Sequence, residues 1–508
     1  MASQQHSNTP TVAIVGAGFS GTMTAVQLAR QSRRAGGRPL RIVIIEPSGK
    51  FGSGVAYGTR CTKHVLNVPA GNMSALPEEP GHFVQWTRAH GISDSPDAFV
   101  PRYWYGVYLH DLLEEARHEA HIERHAARVM DILPDETNGR VSAKVVFDQG
   151  EPLRADRVIL AGGNFPPSDA QLAESGLLSC ERYLRDPWRA RALQKIGTED
   201  DLLMVGTGLT MLDVVVQLRS GGHRGRVHAV SRRGLVPQPH RPPKAHVAIP
   251  MPKEVAEAPC TAAGLLRGVK RAVRRLASEG IDWRDVVASL RSHTVELWTS
   301  LNERERGKFL RHVRPYWDTH RHRIPLDLVG DVEQMILDGT LTIHRARIAA
   351  SEPREKGVRV TLRPRAGEAP YDVNVDWVIN CTGPDSDIRR VEEPLWKNLL
   401  ARGVVRPDPH AIGVVTATDG ALVDRDDKPS RSVYLVGPLR KAQLWESTAV
   451  PELRVQAAEV ARTVLASVPV VAEVSPVAAS ADEVDHFETV ESEEGGREVV
   501  PIYAGEYI

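Results

Sequence analysis

Three glycines, Gly16, Gly18 and Gly21, follow the apolar run Val12 to Val15 in GxGxxG spacing. Glycines so placed allow a tight turn, let a pyrophosphate approach the main chain, and let the next helix pack close on the strand. Ala17, Phe19 and Ser20 fill the turn and open a helix reaching about Arg33. Its free N–H groups and positive dipole end suit an anion. The next strand, Arg41 to Glu46, ends in a carboxylate that can accept the hydroxyls of an adenosine ribose. Strand, turn, helix and acid in this order predict a dinucleotide site, with an empty βαβ core as the alternative. Gly206 and Gly208 repeat the turn after Leu202 to Val205, and Leu209 and Thr210 open the helix. Met211 replaces the third glycine, which predicts looser helix–strand packing. The following strand ends in Ser231, Arg232 and Arg233, with no acid. Two guanidiniums there suit a 2′-phosphate and predict NADPH rather than NADH, against a vestigial unit with solvated arginines.

A third chemical cluster is Arg311 to Pro325, dense in Arg, His and aromatic residues. His320 and His322 stand two apart without Cys or a carboxylate set, so no metal is expected. Two readings stay open. One is an ion-pair knot with Asp318. The other is an anion-recognising wall, for which Arg314, His320 and Arg321 are the substrate-binding candidates. Cys61, Cys180, Cys260 and Cys381 are scattered and form no CxxC, so neither a disulfide framework nor a redox-active dithiol is expected.

Several elements must position these groups. The glycine-rich Phe51 to Gly58 can lie against a bound cofactor. Residues 64–73, with Asn67 and Val68 before Pro69 and Gly71, suit either the side of a flat ring system or a surface turn. Residues 78–120 read as helical, and His125 to Ile132 and Val141 to Phe147 as strands. A strand ending at Ala161, Gly162 and Gly163 allows close backbone approach. Val375 to Gly383 copies that ending, which makes a weak internal repeat. Residues 238–330 interrupt the second unit, proline-rich first and then helical and basic. A strand to Gly437 and a helix from about Trp445 to Leu465 return to the first unit, with Ser447 and Thr448 at the helix opening.

Five strings extend the pattern: Gly52-Ser-Gly-Val-Ala-Tyr-Gly58, Leu66-Asn-Val-Pro-Ala70, Gly206-Thr-Gly-Leu-Thr-Met211, Trp317-Asp-Thr-His-Arg-His-Arg323 and Trp445-Glu-Ser-Thr-Ala-Val-Pro-Glu452. With the paired fingerprints, the chain resembles the two-dinucleotide-domain flavoproteins over about residues 10–465. More narrowly, it is similar to a bacterial group that includes a FAD-dependent urate hydroxylase and an aspartate N-monooxygenase. The resemblance implies an α/β fold with two Rossmann-like dinucleotide-binding domains, glutathione-reductase-like, and a helical insert. It places FAD on residues 10–195 plus 430–468 and NAD(P)H on 200–237 plus 340–390. Residues 238–335 become the insert, a candidate substrate domain. Pro47, Val68, Val129, Gly162, Gly437, Ser447 and Thr448 complete the expected flavin set. Pro438 stands where the superfamily often has an Asp for the ribityl chain, so that contact must come from elsewhere.

The activity so implied is an NAD(P)H-consuming monooxygenase that hydroxylates a small polar substrate with O₂ through a C4a-(hydro)peroxyflavin. A flavin reductase or dehydrogenase without oxygen insertion, and a non-catalytic flavin-bound sensor or scaffold, are the rivals. The formal net charge of +0 implies no bulk attraction to nucleic acid or membrane. No apolar run is long enough to span a bilayer and no secretory signal is visible, so a cytoplasmic protein is expected. Residues 470–508, rich in Asp and Glu, read as a disordered acidic tail.

Overall fold

Val12, Ala13 and Ile14 are wholly buried, as are Leu202, Leu203 and Met204. Both runs are central parallel strands, covered on two faces, which is why they are apolar without alternation. The computed structural model describes residues 9–37, 39–136, 141–241, 247–365 and 367–469. The expected acidic tail lies outside them.

The first sheet has six strands in the order Ala421–Val423, Pro429–Leu435, Arg157–Leu160, Thr11–Val15, Arg41–Ile45, Ile122–His125. All neighbours are parallel except the first pair. The second sheet has seven strands: Tyr371–Val375, Val358–Pro364, Leu341–Pro353, Val227–Ser231, Leu202–Val205, Trp377–Asn380, Tyr183–Leu184. In each, the fingerprint strand lies between the strand that follows it and a later one ending in small residues. The repeat extends to atoms. Asp156 takes the backbone N–H of Thr11 on its carboxylate at 2.8 Å, and Asp376 takes that of Asp201 at 2.8 Å. The fold is thus two Rossmann-like units with a helical insert.

Five expectations need correction. The helical reading of 78–120 splits into His82–Ala89 and Arg102–Glu119, because Pro96 and Pro101 cannot continue a helix and Pro101 caps the second one. The single strand His125 to Ile132 is two: His125 closes a parallel-sheet strand, while Val129–Asp135 pairs antiparallel with Ser142–Phe147. The return to the first unit begins near 388 rather than 430. Ile388, Leu395, Trp396 and Leu399 are buried with Val43 and Val158 of the first sheet. Conversely, Leu172 and Leu177 pack with Val205 and Val360, and Tyr183–Leu184 joins the second sheet, so the first unit's segment stops well before 195. Finally, the insert closes at Ile324, not 335. Pro239 bridges Ile324, and His240 N–H donates to the Ile324 carbonyl at 3.0 Å. The helix Leu326–Leu337 buries Leu328 and Val332 in the second unit's core and is its crossover helix.

An ion pair ties the two units. Arg102 donates to both carboxylate oxygens of Asp213, on the second fingerprint helix, at 2.8 and 3.1 Å. His64 Nε2 donates to the Asp213 carbonyl at 3.0 Å.

Candidate functional site

Gly16 adopts φ +105°, and a Cβ there would drive into the Ala161 carbonyl oxygen. At Gly21 a Cβ would strike the Gly16 oxygen. The fingerprint helix Phe19–Arg34 therefore lies against the strand ends, with Gly18 as its N-cap. That helix has no capping side chain and no acid in its first turn. Three of the insert helices, by contrast, are capped by Thr261, Asp282 and Asn302. An uncapped first turn leaves N–H donors for an external anion. Glu46 accepts the Ala17 N–H at 3.2 Å and the Ser48 hydroxyl at 2.8 Å, which holds its carboxylate at the turn, with exposed Pro47 beside it. Gly52 N–H donates to the Ala17 carbonyl at 3.0 Å, so the glycine-rich loop does cover the turn.

Residues 13–165 match a family described as FAD-NAD(P)-binding. An uncharacterized protein of Mycobacterium tuberculosis is 23% identical over 526 residues, covering 91% of this chain and 96% of that protein. Among solved structures, ornithine hydroxylase of Pseudomonas aeruginosa matches with a TM-score of 0.60 at 16% identity, over 90% of this chain and 99% of that one. L-Lysine 6-monooxygenase of Pseudomonas syringae gives the same TM-score of 0.60 and 16% identity, over 90% and 99%. The FAD-bound cadaverine monooxygenase of Erwinia amylovora matches at 0.60 and 12%, over 94% and 100%. These likenesses show the two-dinucleotide-domain flavoprotein fold.

The remaining flavin candidates fall in several places. Phe19 stacks on Tyr105, with ring centres 6.3 Å apart. Gly437, at φ +108°, brings its α-carbon beside the Ser20 hydroxyl. Gln456 joins two distant candidates: its carbonyl oxygen accepts the Gly437 N–H at 3.3 Å, and its amide N–H donates to the Ser447 hydroxyl at 2.6 Å. Nothing in the sequence singles out Gln456. Thr448 is exposed at the start of this segment. Asn67 offers its carbonyl to His240 Nε2 of the insert stem at 3.0 Å, and Val68 packs on the first unit's core. Gly162 faces the Trp396 ring. Val129 is buried with Ala13 and Ile45, beneath the sheet rather than at the turn.

The second cradle repeats the first. Gly206 has φ +116°, and a Cβ there would meet the Cys381 carbonyl; nothing lies near a Cβ at Gly208. The helix Leu209–Ser220, which includes Thr210, likewise has no capping side chain and no first-turn acid. Met211, in the third glycine's place, keeps its whole side chain buried. Ser231 stands where Glu46 does; its hydroxyl accepts from Thr207 at 2.9 Å and from Gly234 N–H at 3.0 Å. Arg232 belongs to a cationic group. Burial, then the like charges of Arg347, Arg233, Arg314 and Arg365, push its pKa down. Among the described residues neither Arg347 nor Arg365 has an ion-pair partner. Arg233 donates to the Arg311 carbonyl at 3.0 Å and lies over Tyr316.

The insert candidates separate. Arg314 pairs with Asp318 at 3.2 Å and sits between this arginine group and Trp445, whose ring centre is 5.9 Å away. His320 lines a cavity inside the insert, its Nδ1 donating to the Tyr316 carbonyl at 2.8 Å. Arg321 is largely enclosed and lies 3.5 Å from Glu446 and 3.7 Å from Glu452. It faces the return segment, not the cavity, because buried Glu446 and half-buried Glu452 compete for it. Burial acts to raise the Glu446 pKa, but Arg321, His322 and the Trp317 N–H hold it below the usual carboxylate range. Lys441, close by, is pushed down to about 8 by burial and by Arg314. Among the described residues no group of three or more His, Cys, Asp or Glu could hold a metal ion, and no helix is long and apolar enough to cross a membrane.

Proposed function

We propose that the chain is a FAD-dependent, NADPH-consuming monooxygenase acting on a small-molecule substrate. One observation carries the reading: two alike glycine cradles, each under a helix without a capping side chain, one ending in Glu46 and the other in Arg232, which has no hydrogen bond or ion pair among the described residues. The first suits the pyrophosphate and ribose of FAD, and the second a 2′-phosphorylated nicotinamide nucleotide. The N–H groups of Phe19–Arg34 would hold the pyrophosphate, and Arg232 the 2′-phosphate. Gln456 would fix Gly437 and Ser447 at the flavin edge. Bound FAD, reduced by NADPH, would supply the oxygen-activating chemistry. The helix Val450–Ser467 would set its positive end toward the reduced ring.

Several neighbours in fold are amine hydroxylases by name, and the urate hydroxylase and aspartate N-monooxygenase group resembled in sequence also uses flavin. This supports oxygen insertion over simple hydride transfer. A disulfide reductase is disfavoured: all the cysteines are free, and burial pushes the Cys381 thiol up. The test is NADPH oxidation by the flavin-loaded protein under ¹⁸O₂, with and without substrate. Label in the product supports the reading. Substrate turnover without label points to a dehydrogenase, and no NADPH oxidation at all points to a sensor or scaffold.

A further inference from the structure

The insert encloses a cavity of about 700 Å³, large enough for a drug-sized molecule. Its wall is apolar. The helix Ala262–Ala277 contributes Leu266, Val269 and Val273, each only half-buried by protein. Trp283, Trp298 and Trp445 add indole faces. Trp445 comes just before the flavin candidate Ser447, so the cavity reaches the return segment. Its residue adopts φ +36°, an unusual angle for a tryptophan, and its indole N–H is buried without an acceptor.

Charge decides the class of guest. Among the described residues no Asp or Glu lines the cavity. An ammonium compound such as the amines named for the fold neighbours would find no counter-charge there, at a large desolvation cost. Two cations do line it, Lys270 and Arg274, one helical turn apart and exposed. Neither forms an ion pair among the described residues. A small polar substrate would also leave most of the volume and the half-exposed aliphatic wall unfilled.

We propose that this cavity binds an amphiphile with an apolar body and a single anionic head, the body among the tryptophans and the head at Lys270 and Arg274. That it is the substrate pocket rests on the monooxygenase reading above; the binding itself does not.

The test titrates the FAD-loaded protein with decanoate, decan-1-ol and decylamine below their aggregation limits, followed by tryptophan fluorescence and calorimetry. Decanoate is expected to saturate and to bind tightest, and decylamine weakest. Lys270→Glu with Arg274→Glu is expected to weaken decanoate about tenfold or more while sparing decan-1-ol. Val269→Trp, which projects an indole into the cavity beside the apolar body of the guest, is expected to weaken decanoate and decan-1-ol alike with melting temperature and flavin content retained. Decylamine binding as well as decanoate, or no saturable binding by any probe, overturns the proposal. So does co-sedimentation with anionic vesicles without binding of monomeric probe, which would make Ala262–Ala277 a membrane-surface helix. Saturable binding that never stimulates NADPH oxidation, when another compound does, overturns the substrate assignment. Absence of NADPH oxidation under every condition counts against the monooxygenase reading alone, and the fluorescence titration still decides the cavity's guest.

Discussion

Arg232→Ala is the sharpest test of the second nucleotide site. The Arg232 guanidinium has no hydrogen bond or ion pair among the described residues, and its pKa is pushed down by burial and by four neighbouring arginines. Nucleotide-free, it is therefore a source of repulsion. A 2′-phosphate would convert that repulsion into charge-assisted bonds, worth roughly 1.5–3 kcal/mol each in general. Arg232 is only partly enclosed and keeps more than a third of its surface exposed, so solvent screening reduces this to roughly 1–2 kcal/mol, about five- to thirtyfold in NADPH affinity. NADH, lacking the phosphate, should bind unchanged. Because truncation also removes a like charge, the nucleotide-free variant should melt at the same temperature as the wild type or slightly higher. Anaerobic stopped-flow flavin reduction over a range of NADPH and NADH concentrations gives both dissociation constants, and scanning calorimetry gives the melting temperature. Arg233→Ala is the contrast. It loses the bond to the Arg311 carbonyl and the Tyr316 face, so it should lower the melting temperature as well. Equal losses for both nucleotides with Arg232→Ala, or a fall in its melting temperature, would refute the reasoning.

Asp213→Ala should cost roughly 2–3 kcal/mol in chemical denaturation, because it strands the mostly buried Arg102 charge between the two units. The double change Arg102→Met with Asp213→Leu should recover most of that loss; simple additivity would show that the pair is not coupled. For Lys441, the folded-state pKa of about 8 lies below the ordinary lysine value of 10.5, so the unfolded chain holds the extra proton between those limits. Wild-type stability should therefore rise relative to Lys441→Met as pH climbs from 8 to 10.5, with the gap constant below pH 8. Melting temperatures of both proteins at pH 7, 8.5 and 10 check this, and a gap independent of pH would show that Lys441 is not held below its ordinary range.

The glycine cradles, the acid after the second strand and the arginines in its counterpart were legible because each acts over a few residues. Gly16 turns the chain with its positive φ, and Gly21 needs its bare α-carbon against the Gly16 oxygen of the same turn. Parallel strands buried on both faces must be apolar runs, so Thr11–Val15 and Leu202–Val205 declared themselves. What depended on distant partners was not legible. Residues 388–425 carry no fingerprint, and only packing of Leu395, Trp396 and Leu399 against the first sheet assigns them to it. The helix Leu326–Leu337 looks like one more insert helix until Leu328 and Val332 are seen in the second core. Arg314, His320 and Arg321 lie within one helix, yet they face an arginine group, a cavity and two acids. Those partners come from other segments, Glu446 lying more than a hundred residues from Arg321, and composition cannot specify which side chain meets which. The apolar, acid-free cavity is likewise a product of assembly. A half-buried leucine on a basic helix has the same local pattern whether it faces a void, a partner or the core, and only the packed insert decided that Leu266 and Val269 face a void.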